Sequence, residues 1–304
     1  MASLFSQFSF PGKLRRSLRL IGILLFAIAL IIIVVRLGGN IRQVGILNWN
    51  YRTIYLPLAC LSTLLMLTAM SYGWKQAINY AGGELGFLSG HQIYYRTNIL
   101  RYLPGGIWNF PGRAYLARQA GISLQVFQIG TFYEFFFLLS SGVIVTLMML
   151  GIKLKNPTFY VADFVISAGI IFIASKFKRR VFKSDLTSRN EDEKTLWFRQ
   201  EMHLLLIYVV VWAAFSIAVI SLFQVVPGAE KPSVINIVTS NIVSWATGFF
   251  SFAPAGLGVR ELGFAELMGS QFAAQAVLVS TSERILELLF ELLFWLMSFN
   301  RRSV

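Results

Sequence analysis

The feature that most constrains this chain is a series of long apolar runs separated by short basic segments. A membrane-spanning helix needs about 20 predominantly apolar residues. The runs that reach or approach this length are 20–35, 54–72, 124–150, 159–173, 204–226, 235–252 and 274–299. Of the 304 residues, 56% are hydrophobic and 13% are charged, which is unusual for a soluble globular domain. The sequence therefore predicts an all-α, polytopic membrane protein with a single membrane domain.

The basic residues indicate how this domain is oriented. The formal net charge is +13, but Lys and Arg lie mainly between and beside the apolar runs, and no nucleic-acid-binding motif accompanies them. We therefore expect no nucleic-acid partner and interpret the charges by the positive-inside rule. Four Lys and Arg precede the first run, five lie in 75–118 and eight in 176–199. Cytoplasmic N- and C-termini place these three groups on one side, and the first run lacks a cleavage pattern, so we expect it to be retained.

Two stretches are too short and too broken to be pairs of full spans. They are residues 87–113 and 235–269, and each contains Pro and Gly in an otherwise apolar setting. The charge count requires each stretch to enter and leave on the same side, as a re-entrant helical hairpin does. The sequence thus predicts about six full spans plus two re-entrant hairpins, with a basic cytoplasmic linker at 176–202.

The two halves of the chain, 1–150 and 151–304, have the same order of elements. Each predicts two spans, a hairpin and a long span, in opposite orientations, and Asn98 and Asn241 stand at matching positions before the two breaks. We interpret the chain as an inverted repeat. Inverted repeats with interrupted helices are typical of transporters whose site lies at the repeat interface.

The breaks also suggest a chemistry. A half-helix N-terminus offers free amides to an anion, and a guanidinium holds phosphate oxygens by parallel hydrogen bonds. Intramembrane charges are costly and are therefore candidates for function. The expected substrate-binding residues are Arg101, Pro104, Gly105, Gly106, Arg113, Glu134, Pro254, Gly256, Gly258, Arg260, Glu261, Glu283, Arg284 and Glu287. The alternative is structural: the breaks allow close packing, and the acids of the last run form an ion-pair stripe with Arg284.

Other kinds of site have no support in the sequence. No P-loop, HExxH, GxSxG or dinucleotide fingerprint is present, so we expect neither catalysis nor a cofactor. The histidines lack metal-ligand spacing, and we expect no metal site. Cys60 is the only cysteine, which excludes an intrachain disulfide.

Several motifs resemble those of a known family. They are the stretch 101–108, Gly112-Arg113, Gly121-Ile122-Ser123, Glu134, and the stretch 254–261. Together they resemble the lysylphosphatidylglycerol synthase transmembrane region family, also called flippase-like membrane proteins, over nearly the whole chain. The resemblance implies movement of an aminoacylated phospholipid between leaflets. In full-length synthases a soluble aminoacyltransferase domain follows; only five residues follow Phe299, so we expect that domain and its activity to be absent.

Three functions are compatible with these observations. The first is a flippase or transporter of an anionic or aminoacylated phospholipid, or of a lipid-linked intermediate, in the plasma (inner) membrane. In it, Arg113 and Arg260 hold the phosphate, Glu134 and Glu261 balance charge or bind an amine, and the last run gates. The second is a membrane partner or scaffold for an enzyme that uses lipid-linked substrates. The third is a secondary transporter of a small solute.

Overall fold

A computed structural model of the protein describes residues 54–102, 107–181, 191–226, 230–251 and 253–298. All regular structure in these ranges is helical, which confirms the predicted all-α class. The first apolar run, 20–35, lies outside the described residues. The α-helices are α1 Tyr55–Tyr80, α2 Phe87–Asn98, α3 Asn109–Gln119, α4 Leu124–Leu154, α5 Thr158–Val181, α6 Glu191–Val225, α7 Val234–Phe250, α8 Val259–Met268 and α9 Ala273–Met297. Short 3₁₀ turns, Ile99–Tyr102 and Pro254–Gly256, stand at the two predicted breaks.

Within the described ranges, three helices are long and apolar enough to cross a membrane. They are α1, α4 and the Phe198–Val225 part of α6, and they correspond to three of the predicted runs. Their outer faces carry large apolar side chains, such as Leu61 at 64% exposure and Leu206 at 55%. Exposed apolar surface of this extent is unfavourable in water but favourable in lipid. The described part of the chain is therefore an all-helical membrane protein.

The helices extend further into the polar segments than the sequence predicted. The linker expected at 176–202 is helical up to Val181 and again from Glu191, and the first broken segment continues as α3 to Gln119 rather than ending at residue 113. Residues 182–190 lie outside the described part. The linker prediction followed hydropathy, but Glu, Lys and Arg are hydrophilic residues that are also good helix formers.

Small residues allow the long helices to approach closely. A Cβ added to Gly130 of α4 would lie 2.9 Å from the Cα of Ile78 in α1. Further along α4, Gly142 faces the ring of Trp212 in α6, whose Nε1 donates a 2.9 Å hydrogen bond to the carbonyl of Leu138. Such contacts are typical of helix packing in membranes, where small residues replace hydrophobic burial as the source of close contact. They hold α1, α4 and α6 together as the frame against which the two broken segments pack.

Replacement of Gly130 by Ala should destabilise this frame. The new methyl group meets the backbone of α1, which cannot move as a side chain can, so we expect a loss of about 1–3 kcal/mol. Gly169→Ala in α5 is the matched control, because nothing lies within 4 Å of the Cβ it would add. Thermal unfolding in detergent should show a lower midpoint for Gly130→Ala and an unchanged or higher midpoint for Gly169→Ala. Equal midpoints for the two variants would contradict the packing.

Candidate functional site

The two broken segments meet on α9. Tyr102, at the end of the first 3₁₀ turn, is buried against Leu288 of α9. Ile99 from the same turn and Ala255 and Leu257 from the second break pack around them. The breaks are far apart in the chain but adjacent in the structure. Their meeting point on α9 is the centre of the candidate site.

The second break has a backbone that depends on glycine. Ala255, Gly256 and Gly258 all have positive φ angles, of 50°, 70° and 83°. A Cβ on Gly256 would lie 2.8 Å from the carbonyl oxygen of Gly248, so both conformation and space require glycine there. Ala255 pays a conformational cost that glycine would avoid. The turn therefore holds α7 and α8 close together with part of its backbone under strain.

The start of α8 is already occupied by a carboxylate of the same helix. The backbone N–H of Gly258 donates a 2.7 Å hydrogen bond to Oε2 of Glu261. This carboxylate also interacts favourably with the positive end of the helix dipole. An incoming phosphate at this end would therefore compete with Glu261, rather than find its amides free as the sequence suggested.

The charged side chains of α9 point into the protein. Glu283, Glu287 and Glu291 recur every four residues and are all buried, at 0%, 5% and 6% exposure. The opposite face exposes apolar side chains, among them Leu289 and Leu293. The helix is thus polar inside and apolar outside, the reverse of a surface helix in a water-soluble protein.

Glu287 is the carboxylate that joins the two broken segments. Its Oε1 accepts a 2.8 Å hydrogen bond from Nη2 of Arg101, which belongs to the first break. Its Oε2 lies 3.4 Å from Nη1 of Arg260, in α8 beyond the second break. Arg284 on α9 lies 4.0 Å from the same Oε2. One buried carboxylate therefore contacts arginines from both broken segments.

The remaining acids extend this network. Glu283 accepts from Arg260 at 2.6 Å, while Arg284 lies 3.4 Å from Glu261. Glu291 lies 2.8 Å from Arg101. We call the set the junction cluster, and its members are Arg101, Arg260, Glu261, Glu283, Arg284, Glu287 and Glu291. With three arginines and four glutamates, the cluster has one formal negative charge in excess when all are ionised.

Neutral side chains from the first segment complete the junction cluster. Asn98 donates a 2.7 Å hydrogen bond to Oε1 of Glu291, and the Tyr102 hydroxyl donates to Oε2 at 3.2 Å. On the other side, the guanidinium of Arg260 lies 4.7 Å from the ring centroid of Phe215 in α6. Such a ring stabilises a desolvated cation without supplying a charge.

A second buried ion pair lies between α3 and α4. Nη1 of Arg113 is 3.1 Å from Oε2 of Glu134, and both side chains are 2% exposed. The guanidinium lies 3.8 Å from the ring centroid of Tyr94 and 5.3 Å from that of Trp74. This pair is electrically balanced. Within the described residues no ion pair links it to the junction cluster.

The structure brings together some of the residues predicted as one site and separates others. Arg101, Arg260, Glu261, Glu283, Arg284 and Glu287 share the junction cluster, with the turn at Pro254, Gly256 and Gly258 beside it. Arg113 and Glu134 form their own pair, so Arg113 and Arg260 do not act as two halves of one ion-pair network. Pro104, Gly105 and Gly106 lie outside the described residues.

Four residues of interest were missing from the predicted set. Glu291 is a member of the junction cluster, and Asn98 and Tyr102 donate hydrogen bonds to it. Glu291 continues the four-residue spacing of the acids on α9, and Asn98 belongs to the motif that precedes both breaks. Both residues could therefore have been predicted from the sequence. Glu201, 3% exposed on α6, has no comparable signal, because it follows a charged segment that favours an exposed position.

Comparisons with known proteins do not assign the chain to a family, so its class of protein follows from the fold and the site. No family model matches the chain, and the curated proteins contain no match to it. The structure itself defines an all-helical membrane protein with a buried charge network where two broken segments meet.

The Arg113 and Glu134 pair provides a test of how these buried charges are balanced. Arg113→Met or Glu134→Gln alone should destabilise the protein by about 3–5 kcal/mol, because each leaves an uncompensated buried charge. The double variant removes both charges and should recover most of the lost stability. Unfolding in detergent measures all three variants. Additive losses in the double variant would show that the two side chains do not depend on each other.

The strained turn provides a second test. Ala255→Gly should leave stability unchanged or raise it by up to about 1–2 kcal/mol, because glycine avoids the cost of a left-handed backbone. Gly256→Ala should lower it, because the added Cβ meets the backbone of Gly248. The two changes are opposite in chemistry at neighbouring positions, so each controls for the other in thermal unfolding. Destabilisation by Ala255→Gly would contradict the described turn.

Proposed function

We propose that the protein is a flippase or transporter of a lipid that carries both a phosphate and an amine, with the junction cluster as its headgroup site. The observation that carries the proposal is the bridge made by Glu287 between Arg101 and Arg260. A ligand that displaces Glu287 and binds these two arginines itself would change the contact between the two broken segments. Binding at this point is therefore coupled to their relative position.

The relation between the two halves supports a transporter. Arg113 on α3 pairs with Glu134 on α4 and lies over Trp74 of α1. Arg260 on α8 pairs with Glu283 on α9 and lies over Phe215 of α6. In each half, then, an arginine after the break joins the preceding long helix to the following one.

This correspondence is what we expect of inverted repeats at 1–150 and 151–304. In the proposed topology the run 20–35, α5 and α9 also cross the inner membrane, and both termini are cytoplasmic. α9 has 25 residues, or about 37 Å of helix, and its four charged side chains are buried by protein rather than by lipid. Transporters built from such repeats bind their substrate where the broken helices meet.

The charge of the junction cluster indicates the kind of lipid. All three arginines already have carboxylate partners, and one negative charge remains in excess. A phosphate alone would add to that excess, whereas an ammonium group offsets it. A headgroup with an amine beside its phosphate satisfies both the carboxylates and the guanidinium groups. The aminoacylated phospholipid implied by the family resemblance has this chemistry.

Proteoliposomes with fluorescent lipids test the proposal. Translocation of lysylphosphatidylglycerol should exceed that of phosphatidylglycerol, and Arg260→Gln should slow it about tenfold or more, because a lost hydrogen bond to a charged group costs about 1.5–3 kcal/mol. Arg118→Gln is the matched control, since Arg118 is exposed at the end of α3. Gel filtration and the unfolding midpoint establish that the variants are folded.

Three outcomes would contradict this function. The first is equal translocation by the wild-type protein and a folded Arg260→Gln variant. The second is a wild-type protein that moves no lipid but carries a water-soluble ion or metabolite, which would favour the solute-transporter alternative. The third is a wild-type protein that moves neither lipid but co-purifies with a lipid-modifying enzyme, which would favour the scaffold alternative.

A further inference from the structure

The excess negative charge of the junction cluster has a specific location. Both carboxylate oxygens of Glu287 face guanidinium groups. Both oxygens of Glu291 accept hydrogen bonds, from Asn98 and from Tyr102. The two oxygens of Glu261 face the Gly258 amide and Arg284. In these three acids, each carboxylate oxygen therefore has a hydrogen-bond donor or a guanidinium group facing it.

Glu283 is the exception. Its Oε2 is 2.6 Å from Arg260, but its Oε1 has no hydrogen-bond partner among the described residues. The side chain is 0% exposed, so water does not solvate that oxygen from the surface. An ionised carboxylate with an unpartnered buried oxygen is unfavourable, and it is more so in a cluster that is already negative.

We infer that the junction cluster binds one proton and that Glu283 holds it. Protonation at Oε1 removes the excess charge of the cluster, and Oε2 still accepts the hydrogen bond from Arg260. The inference goes beyond the proposed function and stands without it, because it concerns the protein with no lipid cargo bound.

The groups that face Glu283 from the neighbouring helices agree with a proton at this place. Arg260 comes from α8, and Arg284 and Glu287 come from α9 itself. Beyond them, Glu261 of α8 faces Arg284, and Arg101 reaches Glu287 from the first 3₁₀ turn.

The other titratable groups of the packed helices lie elsewhere. Facing Arg260, α6 presents the uncharged ring of Phe215, while His203 of the same helix bonds to Tyr80 of α1. His91 of α2 lies against the ring of Phe294, which is about three turns beyond Glu283 on α9. Glu266 of α8 is exposed.

A metal ion fits this place less well than a proton does. Hard cations take about six or more oxygen ligands. Glu283 offers one unpartnered oxygen, and the neighbouring carboxylates already face arginines. No group of three or more His, Cys, Asp or Glu in the described ranges has the arrangement of a metal site.

Infrared spectroscopy of the purified protein in lipid nanodiscs without aminoacylated lipid tests the inference. Exposed carboxyl groups remain ionised above about pH 6, so a carboxylic-acid carbonyl band in that range reports a buried protonated group. We expect this band in the wild-type protein and its loss in Glu283→Gln. The double variant Arg113→Met, Glu134→Gln is the matched control: it removes an equally buried carboxyl group together with its one partner, so the band should persist.

A second variant tests whether Glu283 is protonated because of the excess charge of the cluster or only because it is buried. Glu291→Gln leaves Glu283 in place but removes one negative charge, so the cluster no longer has an excess. The band should then appear only at lower pH than in the wild-type protein. Retention of the full band in Glu283→Gln, absence of the band from the wild-type protein, or an unchanged pH dependence in Glu291→Gln would each overturn the inference. Lipid translocation is measured separately, so failure of the proposed function leaves these outcomes unaffected.

Discussion

The structure depends on a carboxylate that is shared by two arginines from distant parts of the chain. Glu287 is buried, and so are its partners Arg101 and Arg260 over most of their surface. Removing Arg101 or Arg260 takes one cation away from buried carboxylates in a cluster that is already negative, and this asymmetry makes the arrangement specific even where its net stabilisation is small. The register of both broken segments on α9 follows from it, because a shift of either segment would separate a charged pair.

The sequence predicted the elements of this arrangement better than their connections. The apolar runs located α1, α4 and α6, and the Pro and Gly motifs located both breaks. The four-residue spacing predicted that the acids of α9 share a face. The choice of partner could not be predicted in the same way: whether Arg113 joins Glu134 or Glu283 depends on the distances between helices, and no local pattern encodes them. The predicted set therefore contained every member of the junction cluster except Glu291, but it did not predict which acid pairs with which arginine, or that Arg113 and Glu134 form a separate pair.

Hydropathy also has a physical limit that this chain illustrates. It adds up side chains without regard to the direction in which they point. The four charged residues of α9 lower its hydropathy, yet their side chains lie on its inner face and its outer face is apolar. The same limit applies to the linker predicted at 176–202: its charged residues are hydrophilic but good helix formers, and α6 begins at Glu191. In both segments, polarity alone does not determine the structure.

The inward charges of α9 have a consequence for how the protein is made. Acidic and basic side chains at the centre of a lone helix each oppose entry into lipid by about 2.5–3.5 kcal/mol on insertion scales. α9 carries four such side chains, and apart from the contact between Arg284 and Glu287 their ionic partners are residues synthesised earlier, in the first break and in α8. If α9 crosses the bilayer as proposed, its insertion must wait for those partners. Biogenesis would then proceed by docking the last helix onto a preformed surface that carries Arg101 and Arg260, one from each half of the chain.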